Sequence, residues 1–227
     1  MNPEESDELV AARTEMSAAL QNLGHALVGH QLDTTFAGKV TEVARSLAAD
    51  AQRGSRRDRV QELTTSERFA AALAGDAQPR PPLGEDGEVM DLFRDSVVSG
   101  RANPMGIGIT VRRIGDAAVA TTTLRAAFEG APRRVHGGVV AAILDETMGY
   151  VLPMIGELAY TANLNIDYLD AAPLNEPLTF SASLRDRAGR KLWIEATGES
   201  KSGPFVRAEA LFLTVDLTDF SQLAAPE

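Results

Sequence analysis

The stretch Val135-His136-Gly137-Gly138-Val139-Val140-Ala141-Ala142-Ile143-Leu144-Asp145-Glu146-Thr147-Met148-Gly149 decides the fold. It reads as a helix that opens on two glycines. No side chain covers its first amides, so its N-terminus offers unpaired N–H groups and a partial positive charge. An oxygen that becomes negative can be held there. Asp145 follows two turns later, and its helical neighbours include Gly138, Ala141, Ala142, Met148 and Gly149. Most of that face is small, so a ligand or another backbone can come close. The bland reading is a buried helix that packs through its glycines and tolerates one acid at its edge. Glu146 points about a hundred degrees away and is the weaker candidate.

Working outward, the chain after this helix reads as strand. Tyr160–Tyr168 alternates, with Thr161, Asn163, Asn165 and Asp167 on one face and Ala162, Leu164, Ile166 and Tyr168 on the other. Leu178–Leu184, Leu192–Ser200 and Phe205–Val215 read as three further strands, with a basic turn Arg185-Asp186-Arg187-Ala188-Gly189-Arg190 between the first two of these. The four are expected to form a meander. Before the helix, Ile107, Ile109 and Val111 alternate, Gly115-Asp116 turns, and Ala117–Leu124 pairs back as a hairpin. Glu88–Val98 is expected to form one short helix. Six antiparallel strands and one apolar helix predict an α+β fold whose sheet curves around that helix.

Residues 1–80 read as a helical N-terminal extension, 81–94 as a linker and 95–220 as the sheet domain. In the extension, Leu9, Met16, Leu20, Leu23 and Leu27 recur at helical spacing, as do Phe36, Val40, Val43 and Leu47 behind the N-cap Asp33. Val60, Leu63, Phe69 and Leu73 suggest a third helix. These narrow stripes require a partner: each other, the sheet domain or a second subunit. His25 and His30 are placed at or beyond a helix end, without a role.

Composition narrows the chemistry. The chain has 227 residues, no cysteine, three histidines and a net charge of −10. Thiol catalysis, disulfides and cysteine-bound metals are excluded, and a metal site is not expected. The acidic balance argues against nucleic acid as a partner. No apolar run is long enough to span a membrane, and the acidic start lacks a secretory h-region, so a cytoplasmic protein is expected.

Four stretches, in order, resemble a known family. They are Asn103-Pro104-Met105-Gly106, Phe128-Glu129-Gly130 running into His136-Gly137-Gly138, Asp145 nine positions after His136, and Thr161-Ala162-Asn163-Leu164-Asn165-Ile166. They are similar to the hot-dog fold acyl-CoA thioesterases, in the phenylacetyl-CoA thioesterase-like branch. The motifs stand nearest to the mammalian mitochondrial long-chain enzymes of that branch. The resemblance covers residues 95–217 and leaves the helical extension unplaced. It implies hydrolysis of acyl-CoA to free acid and coenzyme A, with a place in fatty acid metabolism.

By that resemblance, Asp145 attacks the thioester or activates a water. The amide of Gly137 or Gly138 forms the oxyanion hole, His136 orients the loop or the carbonyl, and Thr161 assists beside the carboxylate. Asn103 is assigned to substrate binding. The site is expected between two subunits, in a homodimer or a dimer of dimers. Coenzyme A enters as part of the substrate, with no separate cofactor. Many bacterial relatives place an asparagine in the loop before the His-Gly pair, and this chain has none there, which removes support for an aryl-CoA substrate. The dense basic clusters, Arg133-Arg134 and Arg185 to Lys191 with Arg187 and Arg190, are the candidates for the coenzyme A phosphates on an acidic chain. The alternative function is a non-catalytic acyl-CoA-binding or interaction protein that retains the fold. A dehydratase of the same fold lacks its motif here.

Overall fold

The computed structural model describes residues 6–58 and 85–215. The expected third helix and residues 81–84 of the linker lie outside them. Two helices come first, α1 (Asp7–Gly29) and α2 (Thr34–Ala51). Each starts on a side-chain cap: Ser6 Oγ accepts from the Leu9 amide at 3.2 Å, and Asp33 Oδ1 accepts from the Phe36 amide at 2.7 Å. The strands are β1 (Thr110–Ile114), β2 (Ala117–Thr123), β3 (Ala159–Tyr168), β4 (Pro177–Ala188), β5 (Lys191–Ser200) and β6 (Gly203–Thr214). A short 3-10 helix, η1 (Ala126–Phe128), precedes the long helix α3 (Gly137–Gly149), which is followed by a single turn, α4 (Val151–Met154).

All six strands form one antiparallel sheet in the order β1-β2-β4-β5-β6-β3. The meander expectation needs correcting. Only β4, β5 and β6 follow one another, and β3 crosses to the far edge beside β6. Helix α3 sits against one face and buries Val140, Ile143, Leu144, Thr147 and Met148. The facing strand residues are Ala118, Ala120, Phe180, Ala182, Leu192, Ile194, Ala210 and Phe212, all buried. Strand period two brings these to one side, while Glu195, Thr197, Arg207 and Glu209 fall on the other. This wrapped helix is the hot-dog arrangement.

Three further details depart from expectation. Glu88–Val98 is not a helix: Val89 bridges to Arg112 beside β1, and residues after Met90 form turns. The basic segment 185–190 is not all turn, since β4 runs on to Ala188 and the reversal falls at Gly189, φ +57°. Most important, β3 carries a bulge at Ala162. Thr161 pairs with Phe212 and Asn163 with Leu211, so Ala162 has no opposite number. The bulge shifts the side-chain phase by one. Thr161 therefore shares the helix-side face with Leu164, Ile166 and Tyr168, which strict alternation had placed on the opposite face.

Helix α1 lies on the loops that enter the sheet domain. Its Gln21 Nε2 donates to the Asn103 carbonyl at 2.9 Å, Arg13 pairs with Asp95, and Ser17 is fully buried. Burial alone would raise the Asp95 carboxyl, but hydrogen bonds from Arg57 and Arg13 outweigh it and hold the group below its usual value. In α2 no residue is buried. No described helix is long and apolar enough to cross a membrane.

Candidate active site

The loop Phe128–Val135 delivers the chain to the start of α3. The His136 amide donates to the Phe128 carbonyl at 2.9 Å, and the Val135 amide to the Ala172 carbonyl at 3.0 Å. Gly130 packs directly on His136: a Cβ there would stand 2.8 Å from His136 Cα, so only glycine fits. His136 is the N-cap, and its Nδ1 accepts from the Gly138 amide at 3.0 Å. Its carbonyl accepts from the Val139 and Val140 amides at 2.9 and 3.3 Å.

These bonds distinguish the two candidate amides. The Gly137–Gly138 peptide is held at both ends, because the Tyr168 hydroxyl donates to the Gly137 carbonyl at 2.8 Å while Gly138 N–H is held by His136. The Gly137 N–H has no partner among the described residues. Its own peptide carbonyl, that of His136, already accepts two bonds, which polarises the N–H further. Of the two amides, Gly137 N–H is thus the open donor at the positive end of α3, where an oxygen that becomes negative can be held. Tyr168 was not foreseen as a site residue. Its only sequence signal was an aromatic ending the apolar face of β3.

Asp145 is half-buried two turns along α3, and Thr161 Oγ1 donates to its Oδ1 at 2.9 Å. One carboxylate oxygen is thereby fixed, and the other has no hydrogen-bond partner among the described residues. Glu146 has a different fate. Its Oε1 accepts from Ser96 Oγ at 2.6 Å, from the Ser99 amide at 3.3 Å and from Ser99 Oγ. Burial raises the Tyr150 phenol above its usual value, Ser99's hydrogen bond opposing and the Glu146 charge adding to the rise, so Tyr150 stays protonated and donates to Ser99 Oγ at 3.1 Å. Glu146 therefore clamps the entry loop to α3 and is not open for acid–base work.

A cleft of about 590 Å³ opens at the start of α3, lined by Arg134, His136, Gly137, Tyr168, Asp170 and Phe205 among others. Asp145 and Thr161 are not in its wall. Of the two loop arginines, Arg134 reaches the cleft. Arg133 does not: it takes a left-handed backbone, φ +64°, with its amide held by Glu129 Oε1. The hairpin arginines are elsewhere. Arg187 pairs with Glu157 at 2.6 Å, and Arg190 Nε and Nη2 donate to the Thr214 carbonyl at 3.0 and 2.9 Å. Ten residues of β4 separate Pro177 from Arg187, roughly 33 Å of strand, so this cluster lies at the opposite end of the sheet from His136. Asn103 spends both polar atoms on its own loop, with Nδ2 donating to the Asp95 carbonyl at 3.1 Å and Oδ1 accepting from the Met105 amide at 2.9 Å. No group of metal-binding side chains occurs among the described residues.

Comparison with known proteins bears on the segment that carries these residues and on the fold. Residues 133–204 match the model of the thioesterase superfamily. Acyl-coenzyme A thioesterase THEM4 of Mus musculus is 38% identical over 91 residues, covering 39% of this chain and 39% of that protein. Acyl-coenzyme A thioesterase THEM5 of Homo sapiens is 30% identical over 96 residues, covering 41% of this chain and 39% of that protein. The match thus spans about two fifths of the length of these curated relatives. A crystal structure of a thioesterase superfamily protein superposes with a TM-score of 0.69 at 23% identity, over 88% of this chain and 94% of that one. Residues 85–215 alone cannot supply that coverage, so the shared fold takes in N-terminal helical residues as well. The segment that holds His136, Gly137, Asp145 and Thr161 is thus the part of the chain that matches the thioesterase superfamily model.

Proposed function

We propose that the chain hydrolyses acyl-CoA thioesters to free acid and coenzyme A, at a site built by two copies. The observation that carries this reading is the pairing of an oriented carboxylate, Asp145 with Thr161 at 2.9 Å, with an open helix-start amide at Gly137. Water bound to the free oxygen of Asp145 attacks the thioester carbon as Asp145 takes a proton from it. The carbonyl oxygen becomes negative and is met by Gly137 N–H. The C–S bond then breaks, and the proton passes to the leaving thiolate.

One chain cannot bring these two groups together. Eight residues of helix separate Gly137 from Asp145, an axial rise of roughly 12 Å, whereas the reacting atoms must lie about 3 Å from both. The edge strand supplies an answer. Asp145 touches Thr161 at the start of β3, and Gly137 touches Tyr168 at its end. Antiparallel pairing of β3 with the β3 of a second copy would set the Thr161 end of one chain beside the Tyr168 end of the other. It would also cover the free edge of the sheet. Sedimentation at micromolar concentration is expected to show a dimer or a multiple of it. A monomer alone would sink the two-chain site.

Within one chain, the cleft has a cation and an oxyanion donor but lacks Asp145, the base of the first reading. That favours, as the second reading, an acyl-CoA-binding module without turnover. Assay of a panel of acyl-CoAs of graded chain length separates the two: release of free thiol supports the hydrolase, and binding without release supports the module.

We assign the coenzyme A phosphates to Arg134, the arginine in the cleft wall. Its exposure limits the gain, because water and salt screen it. Arg134→Ala should raise KM for acyl-CoA roughly threefold to tenfold and flatten its salt dependence, with kcat little changed. Arg187→Ala and Arg190→Ala should leave KM alone, since Arg187 is paired with Glu157 and Arg190 with the Thr214 carbonyl. An unchanged KM in Arg134→Ala would remove the assignment.

A further inference from the structure

Helix α1 reaches the oxyanion loop through one side chain that the proposed chemistry does not use. His25 lies inside α1, not at its end as its place in the sequence suggested. Its Nδ1 accepts from the Ala127 amide at 3.1 Å, and its ring stands edge-on to Phe128 with centroids 5.1 Å apart. The Phe128 carbonyl in turn accepts the His136 amide at 2.9 Å. Beside it, Asn22 Oδ1 accepts from Arg125 Nη2 at 2.8 Å. At the end of α1, Gly29 comes so close to η1 that an added Cβ would stand 3.2 Å from Ala126 Cβ. The helix thus grips η1 at successive turns. From His25, one amide bond and one ring contact lead to η1, and one more bond leads to the residue that caps α3.

Resting on the hydrolase reading above, we infer that His25 is a positioning residue, through which the N-terminal helix fixes the loop that presents Gly137 N–H. The bond requires the neutral ring with its proton on Nε2, because a protonated imidazole has no acceptor. Burial, and then the Arg125 charge, lower the His25 pKa from 6.5, which keeps the ring neutral. The contact is also suited to its task. It restrains a loop that must hold an amide within tenths of an ångström.

The test uses the full chain. His25→Phe keeps a ring for Phe128 and removes the acceptor, while His25→Asn places an amide oxygen near the lost Nδ1. Hydrogen exchange is followed on the peptide covering residues 126–140, and kcat and KM are measured with acyl-CoA. His25→Phe is expected to speed exchange of that peptide and to lower kcat about threefold to tenfold, the range one hydrogen bond is worth, with KM unchanged. His25→Asn is expected to restore both. If His25→Phe leaves exchange or kcat at the wild-type value, or if His25→Asn is as impaired as His25→Phe, the inference is overturned. Should His25→Phe melt early, His25→Leu, which also lacks the acceptor and keeps an apolar contact with Phe128, replaces it with the same expectations. A wild-type chain without turnover would overturn the hydrolase reading instead. The exchange arm would then still decide whether His25 restrains the loop.

Discussion

Asp145→Asn is expected to lower kcat for acyl-CoA hydrolysis by roughly a hundredfold to ten-thousandfold, with KM and unfolding temperature close to wild type. The magnitude is what a lost general base removes. The selectivity follows from the structure. Asparagine has the same shape, and its amide oxygen still accepts the Thr161 hydroxyl now 2.9 Å from the carboxylate. Asp145 makes no ion pair among the described residues, so folding loses little. What disappears is a group able to take a proton from water. Steady-state kinetics and a melting curve on the same preparation check both halves. Wild-type turnover in Asp145→Asn would leave this site without a base and end the mechanism.

Gly137→Pro should be nearly as damaging, for a different reason. Proline has no N–H, so the substitution deletes the open donor. Everywhere else it fits. Gly137 is the first helical residue after the His136 cap, where proline is favoured because that N–H bonds to nothing in the helix. The residue before a proline must be extended, and His136 already is, at φ −63° and ψ 129°. The added Cβ would stand 3.4 Å from the Tyr168 hydroxyl and 3.5 Å from Cζ, ordinary to slightly tight contact. Loss of one oxyanion donor typically lowers kcat by a hundredfold to a thousandfold. The expected result is that loss with an intact fold by circular dichroism. Unaltered kcat would move the oxyanion site to another amide, with Gly138 the first to examine. Combining the two variants tests the shared site. Co-expressed Asp145→Asn and Gly137→Pro chains should recover up to about a quarter of wild-type activity, since half the random dimers are mixed and each mixed dimer has one whole site.

The sequence carried the six strands and the helix that presents the candidate residues better than it carried the order of the strands. His136-Gly137-Gly138 and Asp145 share one helix, so their spacing fixes their relation without any tertiary knowledge. The choice between Gly137 and Gly138 was not legible, because it depends on His136 turning its ring back onto one amide and on Tyr168 arriving from a distant strand. Thr161 was named for the right neighbour but set on the wrong face, since periodicity cannot reveal an unpaired residue. The place of β3 at the far edge was hidden for a related reason. Its apolar positions specify a buried face and say nothing about which strand lies beside it. The hairpin arginines were grouped with Arg134 by charge alone. Charge patterning does not measure the length of β4. His25 gave no signal, because a histidine on a polar helix face reads as solvated until the loop it holds is seen.

The unpaired Ala162 has a consequence for how this chain tolerates change. Its side chain is exposed and contributes nothing to the contact between Thr161 and Asp145, so many residues should serve in its place. Its presence in the count is another matter. Removing it would leave Leu164 and Ile166 anchored by the core and turn Thr161 outward, away from the carboxylate. The position is therefore free in identity and fixed in number. A survey of substitutions alone would score it as unimportant, and only a survey of single-residue deletions would find it.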